Sequence, residues 1–252
     1  MPDLLSILLV AIFLPLFPMS MVFNAVLENM KPNLRVLLFI LWPLIGVLIA
    51  LNSEFVIPRW LLPLALSTSL LYAIRLLTLR EVNQWTGFLA TSTWSLLWLP
   101  VIEGNSAELL YGFATGMSVP LVLLVLLAAG LERRFGAAYT GLYGGLARTI
   151  PRYAGVLVTV VIAAVATPLF PTFFFMLDMV VETISTTPSA ALVLLFIWLF
   201  WSWAGARLIQ GLIVGRASHN KIADMSIASI SFYSIVLIVL MLGGIYLAGA
   251  IL

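Results

Sequence analysis

Leu131-Glu132-Arg133-Arg134-Phe135-Gly136-Ala137-Ala138-Tyr139-Thr140-Gly141-Leu142-Tyr143-Gly144-Gly145-Leu146-Ala147-Arg148-Thr149-Ile150-Pro151-Arg152 joins two long apolar runs and carries four arginines. Working outward from it, the apolar runs read as eight membrane spans at 2–25, 37–52, 60–79, 87–102, 108–131, 153–177, 189–214 and 227–251. The odd-numbered connections hold Lys31 and Arg35, Arg75 and Arg80, Arg133, Arg134, Arg148 and Arg152, and Arg207, Arg216 and Lys221. Of the basic residues only Arg59 falls on the other side, which instead holds Asp3, Glu54, Glu103, Glu108, Asp178 and Glu182. Cytoplasmic loops of membrane proteins are enriched in Lys and Arg, and that bias sets orientation. The pattern predicts a polytopic helical membrane protein with both termini outside the cytoplasm.

Composition agrees. Of the 252 residues, 63% are hydrophobic and 9% charged, whereas a soluble domain is about a quarter charged. A bilayer core about 30 Å thick needs about 20 apolar residues per helix, so eight spans take up most of the chain. Residues 1–252 are expected to form a single transmembrane domain, with N-terminal helices in 1–60. The net charge of +2 places no basic run that could follow a phosphate backbone, so no nucleic-acid partner is expected. The absence of cysteine excludes disulfides and thiolate metal sites. His219 is the one histidine and has no ligand partners at metal spacing, so no metal and no cofactor are expected. No nucleophile–base set is present, and the chain is not expected to be an enzyme by itself.

Local sequence sharpens the spans. Thr91-Ser92-Thr93-Trp94-Ser95 lies in the fourth, where small hydroxyl residues favour close helix packing and interhelical hydrogen bonds. Gly112-Phe113-Ala114-Thr115-Gly116 has the small-xxx-small form of a helix contact. In the sixth span Pro168-Leu169-Phe170-Pro171 removes two backbone donors, so the helix is expected to stop there and resume over 172–181. Broken backbone at membrane depth survives only where protein or a water-filled cavity satisfies it, and in transporters such breaks mark ion paths. Trp42, Trp60, Trp98, Trp201 and Trp203 fall near span ends, as interfacial belts do.

Glu132-Arg133-Arg134 followed by Gly144-Gly145-Leu146-Ala147-Arg148-Thr149-Ile150-Pro151 resembles the antiporter-like membrane subunits of respiratory complex I and of multisubunit cation/proton antiporters. In that family a Glu-Arg-Arg-like turn precedes a Gly-Gly-Leu-Ala segment whose proline opens the next helix. Ala204-Gly205-Ala206-Arg207-Leu208-Ile209-Gln210 with Gly215 resembles the end of the helix after the family's break, and 72–95 its Tyr-Ser-Ser helix pair. The similarity covers residues 70–252. It implies structural roles for Glu132, Arg133, Arg134, Gly145, Arg148, Pro151 and Arg207. The fold expected is all-α and integral to the membrane, about eight transmembrane helices with one Pro-broken helix. It is similar to the C-terminal half of an antiporter-like subunit.

The resemblance also shows what is missing. The family's membrane lysine falls on Trp85, its histidine and following lysine on Gly116 and Pro120, and its charged residue after the break on Phe175 or Met176. Carrying a proton across a bilayer needs a chain of ionisable groups or ordered water. The candidates left for an ion pathway are Asp178 and Glu182, then Glu108 at a helix end, with Pro168 and Pro171 framing the break.

The resemblance therefore implies a truncated subunit, lacking the usual ionisable residues, with a structural or anchoring role in a complex I-like or antiporter-like assembly. Its expected partners are other membrane subunits, a full-length antiporter-like subunit foremost, a soluble catalytic module on the cytoplasmic side, and the lipid bilayer. The expected place is a bacterial-type cytoplasmic (inner) membrane. Two alternatives stay open: a proton- or cation-coupled transporter acting alone or as an oligomer, and the membrane subunit of an inorganic-carbon uptake complex.

Overall fold

The computed structural model describes residues 2–52, 58–141, 144–215 and 222–251. They form helices α1 (Pro2–Phe13), α2 (Ser20–Asn29), α3 (Pro32–Leu51), α4 (Leu61–Leu76), α5 (Val82–Ser95), α6 (Trp98–Ile102), α7 (Ala107–Phe135), α8 (Leu146–Thr149), α9 (Pro151–Ala164), α10 (Pro171–Thr186), α11 (Pro188–Ile213) and α12 (Ile227–Ile251). No strand occurs among the described residues. The chain is an integral membrane protein. Four segments are long and apolar enough to cross a membrane unaided: Leu34–Leu51, Ala107–Phe135, Pro188–Ile213 and Ile227–Gly249. The apolar helices Leu61–Leu76 and Pro151–Ala164 are shorter. Glu54, Arg216, His219 and Lys221 lie outside the described residues, as does the side chain of Asp3.

Local chemistry sets the ends. Helices α3, α9, α10 and α11 open on proline, whose missing N–H falls where a helix has no use for one. Ser106 caps α7 by accepting from the Leu109 N–H, and Gly136, at φ 82°, closes it in the left-handed conformation. Glu81 caps α5, its carboxylate accepting from the N–H groups of Asn83 and Gln84. Pro100 deprives the fourth span of a donor, so 96–99 tightens into i→i−3 bonds, Leu99 N–H to Leu96 O at 3.0 Å among them.

Packing runs α1 on α3, α3 on α7, α5 on both α4 and α7, α4 on α11, and α10 against α11 and α12, around one continuous apolar core. The four odd-numbered connections gather at one end and touch. Gln84 bonds Glu28 at 3.2 Å, the Arg35 guanidinium lies 3.8 Å from Glu132, Val82 N–H donates to Ala138 O at 2.8 Å, and Arg134 reaches Ala223 O at 3.3 Å. The described basic residues of these connections thus share one end of the bundle.

The expectation of one broken helix is corrected to two. The sixth span stops at Ala164 and resumes at Pro171, as expected, although it breaks earlier than Pro168 and its second half runs on to Thr186. The first span breaks in the same way between Phe13 and Ser20. Both breaks contain the tetrapeptide Pro-Leu-Phe-Pro, at residues 15–18 and 168–171, and two prolines three apart leave neither helix a ladder to continue.

Both breaks satisfy their freed backbone groups in one manner, with side chains from neighbouring helices or the break itself. At the first, the Trp42 indole N–H donates to Ile12 O (3.0 Å), that of Trp98 to Leu14 O (2.9 Å), and the Phe17 N–H to the Thr68 hydroxyl (3.0 Å). At the second, Thr167 takes Ile162 O (2.7 Å), Thr172 takes Ala163 O (2.6 Å) and the Trp198 indole takes Ala166 O (2.8 Å). Ala166 and Leu169 sit at φ 58° and 88°, left-handed conformations costing about 1–2 kcal/mol each, which these bonds hold in place. Trp98 and Trp201 are accordingly not belt residues. They are 0% and 1% exposed, whereas Trp60 and Trp203 do face outward at 62% and 53%.

Candidate functional site

Two of the positions that the resemblance assigns to ion carriers, Gly116 and Phe175, meet at one aromatic ring, whereas Trp85 stands apart on α5. Gly116 on α7 has no side chain, and the Phe175 ring of α10 lies where one would be: a Cβ there would stand 2.3 Å from Phe175 Cε2. Phe113, one turn before Gly116, stacks on the same ring at 4.5 Å between centroids. Pro120 is buried on α7, and Met176 is fully buried beside Phe175. The glycines of Gly112-Phe113-Ala114-Thr115-Gly116 therefore receive a phenylalanine rather than a helix backbone. Around Gly116 the interior is packed by the side chains of Phe113, Phe175 and Met176.

The hydroxyls of the fourth span fall on the packing reading. Ser92 bonds Ser69 (3.0 Å between hydroxyls) and receives the Trp201 indole N–H at 2.8 Å, while Trp94 donates to Ser118 at 3.0 Å. A second neutral ladder joins α2, α4 and α5. The Ser20 and Tyr72 hydroxyls are 3.0 Å apart, and the Asn24 amide donates to Tyr72 (3.4 Å) and Thr91 (3.2 Å). This ladder opens at the basic end into a cavity of about 450 Å³ lined by Asn24, Glu28, Arg35, Arg75, Glu81 and Asn83 among others. Arg75 lies over the Phe88 ring at its mouth, 5.1 Å from the centroid.

At the opposite end the structure adds Glu103 to the predicted acidic pair. Asp178 and Glu182 lie one turn apart on α10, half-buried, and Glu103, which follows α6, faces them. Burial against α10, then the hydrogen bond to Glu182 and the charges of Glu182 and Asp178, push the Glu103 carboxyl up to about 7. More than a third of Glu103 remains exposed, so solvent screens part of this effect. The group holds a proton near neutrality, yet no three of the described His, Cys, Asp and Glu side chains stand close enough to hold a metal ion. Glu108 is exposed in the first turn of α7 and is not among the groups acting on Glu103. Nothing local in the sequence joins Glu103 to residues 75 positions later.

Of the residues given structural roles, Glu132, Arg133 and Arg134 make side-chain contacts at the basic end. Glu132 accepts from the Asn83 amide at 2.6 Å. Arg134 bonds Gly130 O at 3.1 Å and lies over the Tyr153 ring at 5.1 Å, and Arg133 turns back to Ala129 O at 3.3 Å. Tyr153 donates its hydroxyl to Leu127 O, locking α9 to α7. Gly145, at φ 84°, precedes α8, and Pro151 opens α9. Gly144 lies against the backbone of 214–215, where a Cβ would be 2.9 Å from Val214 O. Arg148 and Arg207 are exposed.

Sequence reading missed the cap on α9. The Asp224 carboxylate accepts from the N–H groups of Arg152 (3.0 Å) and Tyr153 (3.1 Å). Desolvation, the largest single influence, raises the Asp224 pKa, but three backbone donors and the charge of Arg152 together outweigh it and hold the carboxyl below the usual range. A carboxyl lowered in the folded state stabilises above the unfolded value, near 4, and stops doing so as pH falls through the folded value. Asp224→Asn should therefore lower stability in detergent by about 1 kcal/mol at pH 7. The gap from the parent protein should close as pH is taken toward 3; a constant gap in thermal melts would remove the charge from the explanation.

No protein-family model matches the chain. An uncharacterized protein of Aquifex aeolicus is 26% identical over 228 residues, 88% of this chain and 92% of that one. Among solved structures, a chain of respiratory complex I from Thermus thermophilus, with bound NADH, superposes at TM-score 0.77 with 20% identity, over 94% of this chain and 53% of that one. A chain of the membrane-bound sulfane sulfur reductase, an archaeal respiratory membrane complex, gives 0.79 and 16%, over 96% and 53%. A chain of the Mrp complex from Dietzia sp. DQ12-45-1b gives 0.71 and 15%, over 83% and 41%. The fold is thus the antiporter-like one that the motifs implied, and the chain spans about half the length of the solved chains it matches.

Proposed function

We propose that this chain is a membrane subunit of a larger membrane complex, in which it packs against or anchors other subunits rather than forming a complete ion channel. The observation that carries this reading is the Phe175 ring seated on Gly116 and Phe113, which fills with hydrocarbon the place where the fold's relatives are expected to carry ions. In this reading α1–α2 and α9–α10 each make one broken pass and α5–α6 one pass with a tightened turn, giving eight passes in one membrane unit. The end bearing Arg133, Arg134, Arg148 and Arg152 faces the cytoplasm of a bacterial-type cell, and both termini lie on the other side. Glu132, Arg133, Arg134, Gly145, Arg148, Pro151 and Arg207 shape the basic end as a docking surface for a soluble module, with a full-length antiporter-like subunit alongside. The membrane subunit of an inorganic-carbon uptake complex is a special case of the same role. Purification of the tagged protein from its native membrane in mild detergent should recover such a subunit or a soluble catalytic partner in stoichiometric amount. Recovery of the chain alone or as a homo-oligomer overturns the reading.

A transporter is the second reading, and the Glu103–Asp178–Glu182 group favours it, because a carboxyl pushed up to about 7 by burial and by carboxylates of the helix that follows a break suits proton exchange. It requires proton or cation flux in proteoliposomes that Glu103→Gln, Asp178→Asn and Glu182→Gln together abolish. The first reading expects no flux above empty liposomes.

A further inference from the structure

A second cavity, of about 620 Å³, opens at the basic end between the α4–α5 turn, the segment around Thr140 and the last turns of α11. Among the described residues its charged lining is Arg80 and Arg207, with no carboxylate. Among the described residues neither arginine has an acidic side chain within ion-pair distance. Thr140 donates both its N–H (2.7 Å) and its hydroxyl (3.0 Å) to Arg80 O, which fixes the backbone beneath the first guanidinium. Gln210 adds an amide from α11.

The decisive group is Trp85. It lines the cavity, is 1% exposed, and its indole N–H has no acceptor. The other indoles at breaks and interfaces of this fold, those of Trp42, Trp94, Trp98, Trp198 and Trp201, all donate to a protein oxygen. A buried donor left unmade is costly, and an isolated one beside a cavity marks a missing acceptor. Two unpaired guanidiniums present forked donors matched to phosphate or carboxylate oxygens.

We propose that this cavity binds a phosphate group, held by Arg80 and Arg207 with the Trp85 indole N–H as third donor. Phosphate is favoured over carboxylate because residues with donors from three elements, the α4–α5 turn, α5 and α11, line one cavity with room for a headgroup, and phosphate offers more oxygens than a carboxylate to receive them. The source is either a phospholipid headgroup or a free phosphate compound. Leu76 and Leu208 line the same cavity with apolar surface, as an acyl-linked headgroup at a membrane boundary requires.

The test uses the full chain, purified and delipidated in neutral detergent, with native mass spectrometry and thermal unfolding as readouts. Phosphatidylglycerol, phosphatidylcholine and inorganic phosphate are added separately. Phosphatidylglycerol should bind at one site and raise the melting temperature, with phosphatidylcholine at least tenfold weaker; a response to inorganic phosphate as strong as that to lipid assigns the site to a soluble phosphate compound. Arg80→Gln with Arg207→Gln should weaken binding at least tenfold, and Trp85→Phe, which keeps the ring and removes the N–H, about fivefold. Trp85→Phe without ligand should melt no lower than the parent. Arg148→Gln, which removes an exposed charge at the same end, should bind as the parent does. Equal binding by the double variant, an equal loss in Arg148→Gln, or no response to any of the three additives overturns the proposal.

Discussion

Gly244→Ala is expected to lower stability in detergent by about 3 kcal/mol, at the upper end of what added methyls cost in packed interiors. A Cβ there would stand 2.3 Å from Leu169 O and 2.9 Å from its carbonyl carbon. Those are backbone atoms of the second break, and that backbone has nowhere to retreat. Leu169 is already at φ 88°, and the flanking carbonyls of Ile162, Ala163 and Ala166 are each held by a side-chain donor. Helix α12 must therefore move off the break, losing contact along α10. Gly243→Ala is the control, since its Cβ would meet Pro171 at an ordinary 3.7 Å. A thermal melt of Gly244→Ala coincident with the parent would show that α12 does not rest on this peptide.

The second large effect is at the aromatic plug. Gly116→Ala puts a methyl 2.3 Å from Phe175 Cε2, and the ring is backed by Phe113 at 4.5 Å, so about 2–3 kcal/mol should be lost. Phe175→Ala alone should cost about 3–4 kcal/mol as a cavity mutant. Together the two should cost less than their sum by about 1 kcal/mol or more, because the alanine methyl enters the space the ring leaves. Additive losses in a double-mutant cycle would mean that ring and glycine do not share that space.

Much of the helix plan was legible because charge in a membrane protein is confined to its ends. Eleven basic residues on alternate connections foretold an end where the segments carrying Arg35, Arg134 and Arg152 contact other connections of the same side. Pro168 and Pro171 announced their break for the same local reason. Pro15 and Pro18 carried the identical signal in Pro-Leu-Phe-Pro, but lay inside an apolar run with no charge to interrupt it, and the run was read as one helix. Trp98 and Trp201 show the limit of positional reading. Sequence sets them near span ends, while the fold sets them against a broken backbone and a buried serine, partners 84 and 109 residues away. Glu103 and Asp224 escaped for the same reason, since a lone carboxylate acquires its meaning from whatever folds beside it.

Asp224 has a further consequence, which concerns time rather than energy. The N–H groups it caps belong to Arg152 and Tyr153, and the gap to Arg152 is 72 residues. At roughly 5–20 residues per second, the ribosome needs roughly 4–14 s to deliver that carboxylate after Arg152 has emerged, whereas helix formation takes about a microsecond. Throughout that interval the Arg152 and Tyr153 amides have only water in place of their carboxylate. The start of α9 is sealed only as the last hairpin arrives, so the order of synthesis is written into which residue closes which helix.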